Sequence, residues 1–399
     1  MKYALLAIFC ILIGCTHKKE ANTASSLPIF DITKEYPIRE VKLDDIADVE
    51  YVPLETTDES LLPNPCVFFD ISDKYIITHD MMGGNIFIFT RKGRFVRKIN
   101  HVGQGAKEYL RLDQFIVDFK AEEIFVGSYN NKKIFVYTFG GDFIRDFPLE
   151  TYYTQYDPIY NYNEEYLITS NIFFDFDSQK CLDESPYLFI NKRDGSMHPS
   201  KMKVANRITH YLKAEIIKLN ESTSYGHRVY LPIQSMHQNG SEILIADFTL
   251  DTLYSLKEDG LKPIAVQYPS VRSRNPPIVI APNIYTDSFM GFRAISMYYD
   301  RNDEERPFNE APHFVWNRRT NKIERWKVYN SLNKEIDILQ DDRSGCAERS
   351  LPANTICDFN RASTLIKAYK KGNLTENARK VASGLHEEDN PVVIIIKFK

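Results

Sequence analysis

The strongest constraint on the fold is a unit that occurs twice between Tyr75 and Leu149. Each copy reads as a short apolar strand, a polar loop, an alternating strand that ends at a glycine turn, and an amphipathic strand. The turn glycines are Gly93 and Gly141, so the repeat is 141 − 93 = 48 residues long. A β-strand repeat of this length is typical of a propeller blade and not of a solenoid rung.

Three further units follow with longer insertions, because their turns at Gly195, Gly260 and Asn321 are spaced 54, 65 and 61 residues apart. Aromatic residues make up 13% of the chain, and such side chains suit pleated, half-buried surfaces. The predicted inner strands of these units are Ile159–Tyr162, Leu231–Ser235 and Ile278–Ala281.

The two ends of the chain supply the remaining strands. Val49–Leu54 alternates but contains Pro53, which a sheet tolerates only at an edge. Val392–Ile396 is five consecutive β-branched residues after a proline, as in a buried strand. Pairing the two within one sheet removes both open edges. The sequence therefore predicts an all-β, six-bladed β-propeller over residues 28–399, closed by its terminal strands, with short helices inserted at about 361–386.

The N-terminus reads as a targeting segment. Lys2 precedes an apolar run of 11 residues, Tyr3–Ile13, which is too short to span a bilayer as a helix. The run ends in Leu-Ile-Gly-Cys, which resembles a bacterial lipobox and makes Cys15 the predicted lipidation site; an ordinary signal peptide is the alternative. Residues 1–14 are then a lipoprotein signal peptide and 15–27 a flexible tether. No acidic run follows Cys15, which favours a periplasm-facing envelope location over the cell surface.

Three motifs carry a family resemblance: Tyr51–Thr56, Gly103–Tyr109 and Glu388–Val392 with the strand after it. Through them the chain resembles the six-bladed β-propeller lipoproteins of Bacteroides-type bacteria (Bacteroidota), which are similar to NHL-repeat propellers. Ala106 and Lys107 stand where that family usually has Pro and Gly. The resemblance covers residues 28–399 and implies a fold and a cell-envelope location, but no common activity.

If the blades are wound as in NHL propellers, the connections between second and third strands share one face with the connections from one blade to the next. Polar and aromatic loop residues on that face suit hydrogen bonding to, and ring stacking with, a peptide or carbohydrate. A purely structural role as blade connector is the alternative for Gly103–Tyr109. The candidate ligand-binding residues are Gln104, Lys107, Glu108, Tyr109, Arg111, His79, Asp80, Asn130, Asp247 and Asp300.

No catalytic, metal-binding or cofactor-binding motif occurs in the sequence, so we predict no catalytic residue, metal or cofactor. The formal charge of −4 does not indicate binding to nucleic acid. Cys346 and Cys357 are candidates for a disulfide. The favoured function is a non-enzymatic binding or scaffold module that is anchored to the membrane by its lipid and binds an envelope protein or glycan. The alternative is a carbohydrate-active hydrolase or lyase, which would need an acid–base pair such as His79–Asp80, or His227 with Asp247.

Overall fold

Six sheets of mainly antiparallel strands form the ring of a six-bladed β-propeller in the computed structural model. The structure describes residues 27–63, 69–149, 158–175, 178, 180–218, 224–231, 233–298, 313–330 and 350–399. Lipidation at Cys15, the candidate Asp300 and the pairing of Cys346 with Cys357 fall outside these residues and stay predictions.

The N-terminal elements and the first three blades follow one another along the chain. The N-terminal elements are β1 (Ile29–Asp31), β2 (Ile38–Lys42), α1 (Leu43–Ile46) and β3 (Ala47–Pro53). Blade 1 consists of β4 (Phe69–Ile71), β5 (Tyr75–Asp80), β6 (Asn85–Thr90) and β7 (Phe95–Asn100), and blade 2 of β8 (Gln114–Asp118), β9 (Glu123–Ser128), β10 (Lys133–Thr138) and β11 (Phe143–Pro148). Blade 3 consists of β12 (Ile159–Asn161), β13 (Tyr166–Ser170), β16 (Tyr187–Asn191) and β17 (Met197–Pro199), with the hairpin β14 (Phe174–Asp175) and β15 (Lys180–Cys181) inserted after β13.

A second hairpin, β18 (Tyr211–Lys218) and β19 (Ser224–Tyr230), leads to the last three blades. Blade 4 contains β20 (Met236–Asn239), β21 (Glu242–Ile245), β22 (Thr252–Lys257) and β23 (Gly260–Tyr268), and the 3-10 helix Val271–Ser273 follows it. Blade 5 contains β24 (Ile278–Tyr285), β25 (Phe289–Ser296), β26 (His313–Asn317) and β27 (Lys322–Tyr329). The described strands of blade 6 are β28 (Thr355–Asn360), β29 (Val392–Phe398) and β3, with α2 (Ala362–Lys370) and α3 (Glu376–Ala382) between β28 and β29.

The predicted ring closure is confirmed. β29 pairs antiparallel with β3, so that Val392 lies opposite Pro53 and Phe398 opposite Ala47. On its other side β29 pairs with β28. The most apolar strand of the chain is therefore central among the described strands of blade 6.

The first strands of the chain also enter the ring, which the sequence analysis did not predict. β1 runs parallel to β23 and β2 runs parallel to β27, so each adds a fifth, outermost strand to blade 4 or blade 5. Phe30 in β1 is buried and stacks on Phe292 of blade 5, with 4.7 Å between ring centroids. The N-terminal strands thus cover two outer edges that would otherwise be open to other chains.

Hydrophobic clusters fill the interfaces between neighbouring blades. β29 shows the principle: Ile394, Ile396 and Phe398 pack with blade 5, whereas Val393 and Ile395 pack with blade 1. Successive side chains of a strand point to opposite faces of the sheet, so a blade with a neighbour on each side needs apolar residues at every position. This explains why the strands read as continuous apolar runs and not as simple alternation.

One predicted strand was wrong. Leu231–Ser235 was predicted as the inner strand of blade 4, but that strand is β20, which begins at Met236. Leu231 and Ile233 pack instead into a separate cluster with Phe248 and Val271, beside the sheet. Leu231 and Ile233 would be buried in either place. The apolar pattern alone therefore could not distinguish a strand of blade 4 from a segment that packs beside the sheet.

The two helices cover the base of β29. Leu365, Ala378 and Ala382 pack against Val392 and the partly buried Tyr51. α3 begins after Thr375, whose hydroxyl accepts a hydrogen bond from the amide of Ala378. No helix in the described part of the chain is long and apolar enough to cross a membrane.

Asn390 joins the two ends of the chain. Its buried amide nitrogen donates to the carbonyl oxygens of Glu55 (2.8 Å) and Ser60 (2.9 Å). Its side-chain oxygen accepts from the amide of Leu62 at 2.8 Å, and its own amide donates to Thr56 Oγ1 at 2.8 Å. One side chain therefore satisfies three backbone groups of the segment that leads from β3 into blade 1.

We expect Asn390→Ala to destabilise the protein by about 3 kcal/mol, because each buried group left without a partner costs roughly 1–3 kcal/mol. Denaturant unfolding measures the change. The control is Asn373→Ala, since Asn373 is exposed in the turn after α2 and its substitution should change stability by less than about 0.5 kcal/mol. Equal unfolding midpoints for the two variants would show that Asn390 does not hold the ring closed.

The repeat glycines lie where one blade meets the next. Gly93, with φ of +81°, lies in the turn between β6 and β7, and this turn contacts the end of β3 at Pro53. A Cβ at this position would clash with the carbonyl oxygen of Pro53, and the amide of Glu55 donates to the Gly93 carbonyl at 2.8 Å. Gly141, with φ of +93°, lies beside Ile99 of blade 1, where a Cβ would make ordinary side-chain contacts and no clash. These turns therefore also form contacts between blades.

Gly93→Ala should destabilise the protein more than Gly372→Ala does. Both residues have a left-handed φ, which costs an L-residue about 1–2 kcal/mol, but no atom lies within 4 Å of a Cβ at Gly372. The clash at Gly93 should add about 1–3 kcal/mol. Melting temperatures of the two variants test this, and a Gly93→Ala protein as stable as Gly372→Ala would contradict the inter-blade contact.

Candidate functional site

The connections between blades and the connections between second and third strands meet on one face of the ring, which we call the loop face. The connector from β7 to β8 shows this arrangement in blades 1 and 2. Tyr109 Oη donates to the Gly84 carbonyl in the β5–β6 turn at 2.7 Å. The amide of Leu110 donates to Asn131 Oδ1 in the β9–β10 turn at 2.8 Å. The connector therefore lies between the two turns.

Most of the polar candidates in this connector are engaged in holding it. Glu108 Oε2 accepts from the amide of Gly105 at 2.8 Å, and the Gly103 amide donates to the Tyr109 carbonyl at 3.1 Å. Tyr109 is fully buried, and burial raises its pKa to about 12. Lys107 Nζ lies 5.5 Å from the centroid of the Phe143 ring. These contacts give the connector a packing role.

The remaining candidates of blades 1 and 2 have similar roles. His79 is buried and stacks on Phe115 with 4.4 Å between ring centroids. Asp80 accepts from the amide of Met82 at 2.9 Å and from Asn85 Nδ2 at 3.1 Å, which fixes the β5–β6 turn. The other candidates on these blades are Arg111, which pairs with Asp113 at 3.0 Å, and the exposed Gln104 and Asn130.

Asp247, which follows β21, lies in a different part of the loop face. Its side chain and that of Arg207 are each 2% exposed, and Arg207 Nη2 donates to Asp247 Oδ2 at 2.9 Å. Arg207 also donates to the carbonyl oxygens of Ser185 (3.2 Å), Pro186 (3.3 Å) and Asn171. A guanidinium has five N–H donors, and these contacts, with the Nε bond to Asp247, use all of them. The pair ties the β13–β16 insertion of blade 3 to blade 4.

A cleft of about 480 Å³ opens above this ion pair. One wall is the segment 180–184 after the inserted hairpin, and another is the segment 204–211 that leads from blade 3 toward blade 4. Blade 5 contributes Pro277 and Met297. All three walls belong to loop-face connections. The cleft is therefore made by insertions that the regular blades 1 and 2 lack.

The lining of the cleft combines polar residues with an aliphatic surface. Leu182, Val204, Ile208, Pro277 and Met297 form its apolar surface. Leu182 is 54% exposed at the rim, and its amide donates to the Phe173 carbonyl at 2.8 Å. The volume lies within the range of about 300–1,000 Å³ that ligand pockets occupy.

The ionisable groups of the cleft have distinct environments. Burial raises the pKa of the Asp183 carboxyl, which the nearby Arg207 charge only partly offsets. Burial also raises the pKa of the Cys181 thiol, so this sulfur stays protonated and weakly nucleophilic at neutral pH. His210, beside the lining residue Thr209, is buried, and burial lowers its pKa to about 4. Among the described residues, no group of three or more His, Cys, Asp or Glu side chains has an arrangement that could hold a metal ion.

The sequence analysis predicted the loop face and Asp247 but missed the groups that form the cleft. The structure places eight of the ten candidates around the β7–β8 connector, and it places Asp247 beside the cleft through Arg207. The side chain of His227 is not among those described, so its pairing with Asp247 stays a prediction. Arg207 lies in an irregular segment with no periodicity or motif, and no sequence signal identified it.

Comparison with known proteins agrees with the fold. The chain is similar to the solved structure of a protein described as exported, from Bacteroides fragilis, with 14% identity, a TM-score of 0.60, and coverage of 93% of this chain and 99% of that chain. Weaker likenesses are to a member of the DUF4221 family from Bacteroides vulgatus (13% identity, TM-score 0.43, 69% of this chain and 84% of that chain) and to virginiamycin B lyase from Staphylococcus aureus (9% identity, TM-score 0.36, 88% and 99%).

No curated protein matches the chain. A family profile described as "Domain of unknown function (DUF4934)" matches residues 27–269, from β1 through blade 4. The matched segment contains 269 − 27 + 1 = 243 of the 399 residues, which is more than half. The chain therefore belongs to the DUF4934 family.

Proposed function

We propose that this protein is a lipid-anchored cell-envelope module that binds a polypeptide segment of a partner protein in the cleft between blades 3, 4 and 5. The observation that carries the proposal is the aliphatic character of the apolar part of the lining, formed by Leu182, Val204, Ile208, Pro277 and Met297. Sugar rings are recognised by stacking on exposed aromatic faces, whereas aliphatic side chains and Met adapt to the apolar side chains of a peptide. Tyr211 is the one aromatic side chain among the described residues of the lining, and it is buried. The cleft thus favours a protein over a glycan as ligand.

The polar groups of the cleft favour binding over turnover. Arg207 uses its donors within the protein and holds the walls together, so it does not serve to stabilise charge that develops in a reaction. Cys181 carries a protonated thiol because burial raises its pKa. A hydrolase or lyase would use such groups in an exposed and activated form.

The envelope location is supported by the lipobox-like sequence before Cys15 and agrees with the description of the similar Bacteroides fragilis protein as exported. Pro28 lies at the outer edge of blade 4, since its carbonyl accepts from the Val266 amide at 2.9 Å. Pro28 is 13 positions after Cys15, and a chain of that length reaches at most about 45 Å. A lipid at Cys15 would therefore hold the outer edge of blade 4 within about 45 Å of the membrane.

Cys15→Ala should move the protein from the membrane fraction to the soluble fraction, because the thiol of Cys15 is the predicted site of acylation. Detergent phase partition and alkaline washing of membranes measure the change. Cys10→Ala is the matched control, since it removes a thiol from the same apolar run and should leave the protein in the membrane. A Cys15→Ala protein that still resists alkaline extraction would overturn the lipid anchor.

The peptide site can be tested by selecting a phage-displayed random dodecapeptide library on the full-length protein in detergent. We expect sequences with apolar residues to be enriched. Leu182→Ser should weaken their binding at least about fivefold, because it removes apolar surface at the rim that contributes about 1 kcal/mol to the binding free energy. Leu61→Ser is the matched control, since Leu61 is 53% exposed and lies in the β3–β4 connection. Selection of no peptide, together with binding on a glycan array or turnover of a polysaccharide, would overturn the proposed function.

A further inference from the structure

The wall of the cleft formed by residues 180–184 has an open strand edge. Among the described strands, β15 pairs antiparallel with β14 alone. Just after β15, the amide of Leu182 donates to the Phe173 carbonyl at 2.8 Å, so the backbone groups of Leu182 face β14. Backbone groups of successive residues in a strand point to opposite sides. Those of Cys181 and Asp183 therefore point away from β14.

This open edge runs along the cleft. The five consecutive residues 180–184 all line it, and Cys181 and Asp183 are both partly exposed. Because the side chains of successive strand residues point to opposite faces, one face of the hairpin could not supply all five. The cleft therefore follows the backbone edge of this segment.

The backbone groups on the open edge are available for pairing. Within the described part of the chain, no other element donates to or accepts from the backbone of Cys181 or Asp183. The Cys181 thiol lies 3.8 Å from the Asp183 carbonyl, and a thiol is a weak donor. Unpaired groups of this kind are what a sheet edge offers to another chain.

The opposite wall turns its backbone away from this edge. Among the described residues, one backbone–backbone hydrogen bond joins the two walls, from the Val204 amide to the Glu184 carbonyl at 2.8 Å. Beyond it, the carbonyls of Ala205 and Asn206 each accept from Arg272 Nη2 at 2.9 Å. The two walls therefore separate along the open edge, and the second wall contributes side chains.

We propose that the peptide segment binds as an extended strand that pairs with the open edge at Cys181 and Asp183. This rests on the proposed function and specifies how the ligand is held. The edge supplies main-chain hydrogen bonds, which give affinity in strand addition. Every second side chain of the bound strand then points toward the aliphatic surface of the cleft. The ligand is thus a segment of a partner protein that is extended and has apolar residues at alternate positions.

The spacing of apolar residues in selected peptides is the first test. Dodecapeptides selected on the wild-type protein should have apolar residues two positions apart, because an extended chain repeats every two residues. A helical ligand would place them three or four positions apart. Enrichment of the helical spacing would overturn strand pairing and leave the peptide site standing, whereas failure to enrich any peptide would remove both proposals.

Methylation of single backbone amides in the best peptide is the second test. Each methyl group removes one N–H donor, and loss of a donor that faces the open edge should weaken binding about fivefold to tenfold. Amides between these positions point away from the edge, so their methylation should change the affinity less than about twofold. The affinities, measured by titration calorimetry, should therefore alternate along the peptide. Equal losses at successive positions, or none at any, would contradict strand pairing.

Asp183→Pro and Asp183→Ala form a matched pair on the protein itself. Both remove the carboxylate, but only proline also removes the N–H that points away from β14. Proline is tolerated at a sheet edge where its nitrogen faces outward. Asp183→Pro should bind the best peptide at least about fivefold more weakly than Asp183→Ala does. Equal affinities at equal melting temperatures would overturn pairing at Asp183, and if Asp183→Pro melts earlier, the methylated peptides decide.

Discussion

Every blade of this protein depends on a neighbour on each side, and β29 satisfies this requirement at the point where the chain ends meet. Its residues alternate between the blade 5 interface and the blade 1 interface, so the strand contributes to two hydrophobic clusters at once. Full burial of one such side chain contributes about 1.5–3 kcal/mol. Without β29, β3 would lose its pairing partner and both clusters would face water. Ring closure is thus a condition for burying the apolar faces of the whole sheet system.

The three motifs that carry the family resemblance all take part in this architecture. Tyr51–Thr56 and Glu388–Val392 lie at opposite ends of the chain and meet in the β3–β29 pair, where Asn390 bonds to the segment after Pro53. Gly103–Tyr109 packs between two turns of the loop face. None of the three lines the cleft. The motifs therefore identify a way of closing and spacing a propeller, which explains why they predict a fold and leave the ligand open.

The parts of the fold that could be predicted from the sequence follow from local periodicity. Seven of the eight strands of blades 1 and 2 are five or six residues long, and short turns join the strands within each blade. The repeat between Tyr75 and Leu149 was therefore visible in the sequence. β1 is three residues long and pairs with a strand more than 200 positions away, so no local pattern marks it. The inner strand of blade 4 was misplaced because Leu231 and Ile233 are buried beside the sheet. Apolar residues predict that a segment is buried. Whether it forms a strand of the sheet or packs beside the sheet depends on tertiary contacts.

The loop face also differs between the regular blades 1 and 2 and the region where blade 3 carries insertions. Where the blades are regular, the connector is short enough for Tyr109 to fill the space beneath it, and the polar residues hold their own turns. Where blade 3 carries insertions after β13 and β17, the longer connections form the walls of the cleft, and the buried Arg207–Asp247 pair ties them to blade 4. Breaking such a buried pair costs about 3–5 kcal/mol, so the walls have a fixed spacing despite their irregular backbone. The cleft therefore arises from the departure of blades 3 and 4 from the repeat.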